Sequence, residues 1–242
     1  MKALVVIPTY NERENILGLL NRILNLNGIL EILVADDNSP DGTGKLVENY
    51  AANNSRVHLL QRNSKNGIGP AYVAGFKWAL ERDYDAIVEM DADLSHRPRY
   101  LPKLISTLNN FDVAIGSRWV EGGGVFHWSV YRILLSRLAN LYSQWVLDVP
   151  IRDLTGGFTA YRRTVLERID LNKIHSDGYS FQIEMKYRAL KEGFRLKEIP
   201  IRFTDRQAGQ SKISRRIVLE ALLIVWLLRK TEGNQTFCRS KC

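Results

Sequence analysis

Apolar and polar positions along the chain alternate in short blocks. Ala3-Leu4-Val5-Val6-Ile7-Pro8 is a continuous apolar run, as expected of a strand buried on both faces. Asn11 then offers an N-cap, and Glu14 follows in capping-box register. Ile16, Leu19, Leu20, Ile23 and Leu24 supply the apolar stripe of the helix this predicts. Further strands are predicted over Glu31–Ala35, Val57–Leu60, Ile87–Met90 and Asp112–Gly116. Helices are predicted from Ser39-Pro40, from the Asn66-Gly67-Ile68-Gly69 loop through Leu80, and from Pro98 to Leu108. This alternation implies βαβ units and an α/β fold with a mostly parallel sheet. Beyond Gly116 the pattern changes. Gly122-Gly123-Gly124 make a loop, a helix is predicted from Trp128 to Val146, and an apolar run follows from Ile217 to Leu228.

The chemistry centres on the strand Ile87–Met90, which ends in Asp91-Ala92-Asp93. In extended backbone residues i and i+2 point the same way, so both carboxylates converge just past the strand end. Ligands of open α/β sheets sit at that edge. Two hard oxygen ligands with open positions suit Mg²⁺ or Mn²⁺, with substrate phosphates completing the shell. The same pair would equally suit loop solvation or helix capping, so context decides. Asp36-Asp37 and Thr9-Tyr10-Asn11-Glu12 follow other strands of the first half. In a parallel sheet all three loops share one edge. Glu12 or Asp37 can accept hydrogen bonds from a base or ribose, and Tyr10 can stack on a base. His96 follows the acidic motif and can approach the site, whereas His58, His127 and His175 are expected to face solvent. There is no Gly-x-Gly-x-x-Gly after the first strand and no P-loop signature.

The 242 residues fit one sizeable domain, expected over 1–230 with a polar tail at 231–242. We divide it into a nucleotide-binding half, 1–117, and an acceptor half, 118–230. The net charge of +8 suits a polyanionic partner. Nucleic acid is disfavoured, because acidic loops at the sheet edge repel phosphate unless a metal intervenes. Cys238 and Cys242 lack metal-site or redox spacing and are expected to be reduced. Met1-Lys2 runs directly into a core strand and no apolar run approaches ~20 residues, so a cytoplasmic location is expected.

Four motifs together are similar to those of the dolichol-phosphate mannose synthases, polyprenol-phosphate mannosyltransferases among the family 2 glycosyltransferases of GT-A fold. They are Ile7-Pro8-Thr9-Tyr10-Asn11-Glu12-Arg13-Glu14-Asn15, Asp36-Asp37-Asn38-Ser39-Pro40-Asp41-Gly42-Thr43, Met90-Asp91-Ala92-Asp93-Leu94-Ser95-His96 and Ile115-Gly116-Ser117-Arg118. The resemblance implies a single GT-A (Rossmann-like) domain and inverting transfer of mannose from GDP-mannose to polyprenyl phosphate. It implies donor contacts from Pro8, Tyr10, Glu12, Ala35, Asp37, Asp91, Ala92 and Asp93. It implies metal contacts from Asp91, Asp93 and the position of Ser95, where some relatives have Gln. Arg206, Gly209, Ser211 and Lys212 match the family's Arg-x-x-Gly-x-Ser-Lys loop over the donor diphosphate, and Arg118, Arg132 and Ser136 match its acceptor-phosphate positions.

That chemistry accounts for the residue types. A phosphate monoester is largely dianionic at neutral pH and needs no general base. The task is to bring two anions together. Arg118 and Arg132 offer forked donors to one, and the metal with Arg206 and Lys212 offsets charge building on the other. Asp91, Asp93 and Arg118 are therefore the candidate catalytic residues. A lipid acceptor implies contact with a membrane surface, directly or through a membrane partner subunit, at its cytoplasmic face. The helix from Trp128, with Tyr131, Leu134, Leu135, Leu138, Leu141, Tyr142 and Trp145 at mixed helical spacing, is expected to divide these residues between the core and an interfacial face. The C-terminal run flanked by Arg215-Arg216 and Arg229-Lys230 suits either an amphipathic interfacial helix or one packed on the core. Two rivals stand beside this expectation: another donor such as UDP-glucose, and a catalytically silent nucleotide-sugar-binding subunit.

Overall fold

The computed structural model describes residues 1–26, 30–174, 176–205 and 223–230. Its centre is a seven-stranded sheet. In chain order the strands are β1 (Ala3–Thr9), β2 (Leu30–Asp36), β3 (Val57–Gln61), β4 (Ala86–Glu89), β5 (Val113–Ser117), β7 (Thr159–Arg162) and β8 (Leu196–Pro200). They lie side by side in the order β3-β2-β1-β4-β7-β5-β8. β7 runs antiparallel to both of its neighbours, and every other pairing in this sheet is parallel. A small parallel pair, β6 (Gly124–Phe126) with β9 (Arg202–Thr204), completes the strands.

Side-chain alternation along β1 builds a core on each face of the sheet. Leu4 and Val6 join Tyr72, Phe76, Tyr161 and Phe181 on one side. Ala3, Val5 and Ile7 join Ile16, Leu19, Leu20 and Ile23 on the other. Each such fully buried aliphatic side chain stabilises the fold by about 1.5–3 kcal/mol. The second group belongs to α1 (Ile16–Leu24), whose apolar stripe is buried as its periodicity predicts. The first takes Tyr72 and Phe76 from α3 (Ile68–Leu80), Phe181 from α7 (Gly178–Lys191) and Tyr161 from β7, and Tyr72 and Phe181 stack with centroids 5.7 Å apart. α3 lies so close to β1 that a Cβ at Gly75 would sit 2.4 Å from Val6 Cγ1. α2 (Thr43–Ala51), α4 (Leu101–Thr107), α5 (Val130–Leu147) and α6 (Arg163–Arg168) complete the described helices of known bounds.

Two predicted helix starts are corrected. α1 begins at Ile16, because Asn11 has φ 61 and its amide donates to Ser39 Oγ at 3.1 Å. α2 begins at Thr43, because Asp41 accepts hydrogen bonds from the Thr43 amide and hydroxyl at 2.9 and 2.6 Å, after which Gly42 takes φ 84. In both cases the residues expected to start a helix are committed to the loops at the sheet edge. His58 is also corrected: it is half-buried, with Nε2 2.7 Å from Glu31 Oε2. His175, both cysteines and residues 217–222 of the C-terminal run lie outside the described residues.

Candidate active site

The loops after β1, β2 and β4 converge at one edge of the sheet around a cavity of about 420 Å³. Pro8, Tyr10, Glu12, Asp37, Asp91 and Asp93 line it from the first half of the chain, and Arg118 and Arg132 from the second.

Asp36 and Asp37 divide their labour. Asp36 is buried and anchors the loop, accepting from Thr9 Oγ1 at 2.8 Å, the Ser39 amide at 2.9 Å and Ser39 Oγ at 2.6 Å. Asp37 lines the cavity and is held by Arg62, 2.5 Å away. Burial lifts the Asp37 carboxyl above its ordinary value, against the pull of the Arg62 charge. Tyr10 carries Lys65 Nζ 3.9 Å from its ring centroid, so a base stacking on Tyr10 would meet that ammonium.

Asp91 and Asp93 are presented by a strained turn. Leu94 has φ 62, a conformation costing an L-residue about 1–2 kcal/mol, and such strain tends to persist where a site over-determines it. Asp93 Oδ1 accepts from the Ser95 amide at 3.0 Å. The Tyr72 hydroxyl donates to Asp91 Oδ1 at 3.2 Å. His96 reaches the motif as a strut: its Nδ1 accepts the Asp91 amide at 3.1 Å, and its ring stacks on Phe158 with centroids 4.9 Å apart. Nδ1 therefore carries no proton, and burial holds the imidazole pKa below its ordinary value.

Four of the residues expected to make contacts lie back from the cavity. Ala35, Ala92, Ser95 and Ser136 do not line the cavity. Ala35 is buried in β2 and Ala92 in the turn after β4, and Ser95 is fully buried with an Oγ that has no hydrogen-bond partner among the described residues. Ser136 instead offers its carbonyl oxygen to Asn140 Nδ2 at 2.8 Å. Arg206, Gly209, Ser211 and Lys212 lie outside the described residues.

Arg118 is the most constrained cation of the site. Asp153 accepts from its amide at 2.8 Å, its Nε at 2.8 Å and its Nη2 at 2.6 Å, and Thr155 Oγ1 accepts from Nη2 at 2.9 Å. Nη1 takes no part in these bonds, and Arg118 lines the cavity. The guanidinium also lies 5.5 Å from the Trp128 centroid and 5.6 Å from those of Trp119 and Phe203, which is cation–π range. Arg132 sits 4.0 Å from the Trp128 centroid and pairs with Asp205 at 2.7 Å. Arg118 and Arg132 thus bring two forked donors to the cavity that Asp91 and Asp93 also line.

The family model for Glycosyl transferase family 2 matches residues 4–170. The chain belongs to that family. A polyprenol monophosphomannose synthase of Mycolicibacterium smegmatis is 49% identical over 232 residues, covering 94% of this chain and 88% of that protein. An undecaprenyl-phosphate mannosyltransferase of Micrococcus luteus is 45% identical over 225 residues, covering 93% of each. Among solved structures, a mannosyl-3-phosphoglycerate synthase of Rubrobacter xylanophilus superposes with TM-score 0.69 at 18% identity, covering 98% of this chain and 76% of that one. A mannosyltransferase of Pyrobaculum calidifontis, solved with GDP-Man and Mn²⁺, superposes with TM-score 0.60 at 17% identity, covering 96% and 70%. The domain is a single GT-A-like glycosyltransferase fold.

Several residues of this family 2 site escaped sequence reasoning. Lys65, Trp128, Thr155, Asp177, Tyr179, Gln182 and Phe203 line the cavity. Asp153, Asn140 and Lys186 support its wall. Lys186 is fully buried and donates to the carbonyls of Leu154 at 2.9 Å and Gly156 at 2.6 Å. Burial pulls its pKa down and that of the neighbouring buried Glu89 up, although their opposite charges resist both shifts. The available signal was the Asp153-Leu154-Thr155-Gly156-Gly157 turn cluster; Lys186 lies in a helix of mixed polar and apolar residues and carries no such mark.

Proposed function

We propose that this chain transfers mannose from GDP-mannose to polyprenyl phosphate with inversion, giving polyprenyl β-mannosyl phosphate and GDP. The observation that carries this reading is that strand-end carboxylates and two arginines caged by aromatic rings line one cavity. The names of the relatives at 45–49% identity support the choice of sugar and acceptor. Pro8, Tyr10, Glu12 and Asp37 would hold the nucleoside, and Arg206 and Lys212 the diphosphate. Arg118 and Arg132 would hold the acceptor phosphate, whose dianion attacks C1 of the sugar without a general base. The C1–diphosphate bond breaks as the new C1–O bond forms, and GDP departs with the electron pair.

Asp91 and Asp93 fit a hard divalent cation. Among the described residues no three His, Cys, Asp or Glu side chains gather into a metal cluster. Two carboxylate ligands, with diphosphate oxygens and water completing the shell, is the pattern expected of a nucleotide-bound Mg²⁺ or Mn²⁺. When bound, the cation would neutralise charge on the departing diphosphate.

The test is transfer of labelled sugar from GDP-mannose to polyprenyl phosphate in detergent, with Mn²⁺ or Mg²⁺ and with EDTA. Metal-dependent transfer is expected. Turnover of UDP-glucose in place of GDP-mannose would overturn the donor assignment, and GDP binding without any transfer would overturn the catalytic one.

A lipid acceptor requires a membrane surface. No helix among the described residues is long and apolar enough to cross one. α5 leaves Tyr131, Leu134, Leu138, Leu141 and Trp145 exposed at a three-four spacing, with Tyr131 and Trp145 each 74% exposed. Trp226 and Leu227 are exposed on the helical residues 223–230, whose Val225 and Leu228 are buried in the same core cluster as Val146 of α5. These rows would lie in the headgroup region of the cytoplasmic face. Leu134→Glu with Leu141→Glu should reduce flotation with anionic vesicles at least about tenfold, since a charge at an apolar interface is costly, while transfer in detergent persists. Unchanged flotation would exclude α5 as the contact.

A further inference from the structure

Between β5 and β7 the chain passes through Arg152–Gly157, a loop whose backbone is tied down by side chains from three other elements. Glu198 of β8 accepts the amides of Arg152 and Asp153, both at 2.9 Å. Lys186 of α7 holds two of the loop's carbonyls, as described. The third tie comes from α5. Asn140 is 2% exposed, and its amide is fully used. Oδ1 accepts from the amides of Leu154 at 2.7 Å and Thr155 at 3.2 Å, and Nδ2 donates to Ser136 O at 2.8 Å and Thr155 Oγ1 at 3.1 Å. That makes four bonds, the whole capacity an asparagine side chain usually meets. The hydroxyl of Thr155 thus receives Asn140 from one side and Arg118 Nη2 from the other.

We propose that Asn140 is a positioning residue for the acceptor phosphate: through Thr155 it fixes the Arg118 fork to α5, the helix that carries the exposed apolar row. The inference rests on the acceptor role of Arg118 proposed above. Arg118 is aligned by Asp153 on one edge, and Asp153 and Thr155 belong to one short loop. Without Asn140 the amides of Leu154 and Thr155 lose their buried acceptor, and the loop re-forms with its hydroxyl elsewhere. The guanidinium keeps its charge and its aromatic cage but loses its registration. The donor side of the cavity, built on β1, β2 and β4, has no bond to Asn140 among the described residues.

The test uses the full chain with Mn²⁺, GDP-mannose and a short-chain polyprenyl phosphate in detergent. Wild type, Asn140→Ala, Thr155→Val and the double variant are compared by kcat, by KM for each substrate, and by calorimetric binding of the polyprenyl phosphate. Each single variant should raise acceptor KM roughly tenfold, the scale of leaving buried hydrogen-bonding groups unpaired, while donor KM stays within about twofold. The double variant should be no worse than the worse single one, since both act through one chain of bonds. Thr155→Val keeps the shape of the side chain and carries the test if Asn140→Ala fails to fold. A fall in kcat with both KM values unchanged would indicate a merely structural role and overturn the proposal. So would equal rises in both KM values, or additive effects. Wild-type binding of polyprenyl phosphate without transfer would sink the GDP-mannose reading alone, because the binding comparison still decides the role of Asn140. Failure of the wild type to bind polyprenyl phosphate would overturn both.

Discussion

Replacing Asp93 by alanine should lower sugar transfer by about a thousandfold or more, the scale expected when a metal-centred electrostatic contribution is removed, while the domain stays folded. Asp93 sits on the cavity wall at the end of β4, beyond the last paired residue of the sheet. The substitution removes the hydrogen bond from the Ser95 amide at 3.0 Å, worth about 1 kcal/mol. Most of the two core clusters is untouched. Asp93→Asn separates charge from shape: the amide oxygen still accepts from Ser95, but one anionic ligand is gone. Both variants should lose metal-dependent GDP binding in calorimetry, with thermal transitions close to wild type. Near-normal transfer by either variant with Mn²⁺ present would remove Asp93 from the centre of the mechanism. A collapsed transition would instead make the residue structural.

Asp93 was legible from sequence because its position is set locally. A buried apolar run followed by Asp-x-Asp dictates strand, strand end and carboxylate direction in one stretch. The same holds for Pro8, Tyr10, Glu12 and Asp37, which follow β1 and β2. The first-half strands were legible for the same reason, each to within a residue or two. The second half of the chain was not. β7 is four residues, Thr159–Arg162, and it enters the centre of the sheet against the grain of the others. β8 reads Leu-Lys-Glu-Ile-Pro and lies at the sheet edge, half exposed, with too little alternation to stand out. Asp153 and Arg118 are 35 residues apart in sequence. Only the crossing of β7 between β4 and β5 brings that loop to the cavity, and no periodicity encodes such a crossing. Helix starts failed for a different reason. Asn11 and Ser39 have capping chemistry, but their polar groups bond each other across two loops rather than their own helices.

Arg118→Ala should cost the protein stability as well as acceptor use, and the two losses can be separated. Asp153 is fully buried, and its carboxylate takes three hydrogen bonds from Arg118. Two of the three come from the guanidinium. Alanine leaves that charge buried without its partner, a change worth about 3–5 kcal/mol and a fall in Tm of about 10 °C. Arg118→Ala combined with Asp153→Ala removes both charges. Much of the stability should return, because only the pair's packing is then lost, while acceptor use stays impaired. Acid titration gives a second reading of the same pair. Burial alone would raise the Asp153 carboxyl, but the charge and hydrogen bonds of Arg118 outweigh it and hold the folded pKa below the ordinary value. The pair's contribution is therefore fully present above the unfolded carboxylate pKa of about 3.9, and it is lost as pH falls from there through the lower folded value. Thermal unfolding followed downward from neutral pH should show wild type losing this component at the acid end. The double variant should lack it and show a correspondingly shallower acid slope. If Arg118→Ala unfolded at the wild-type temperature, Asp153 would have another cation within reach, and the arginine would be held for catalysis alone.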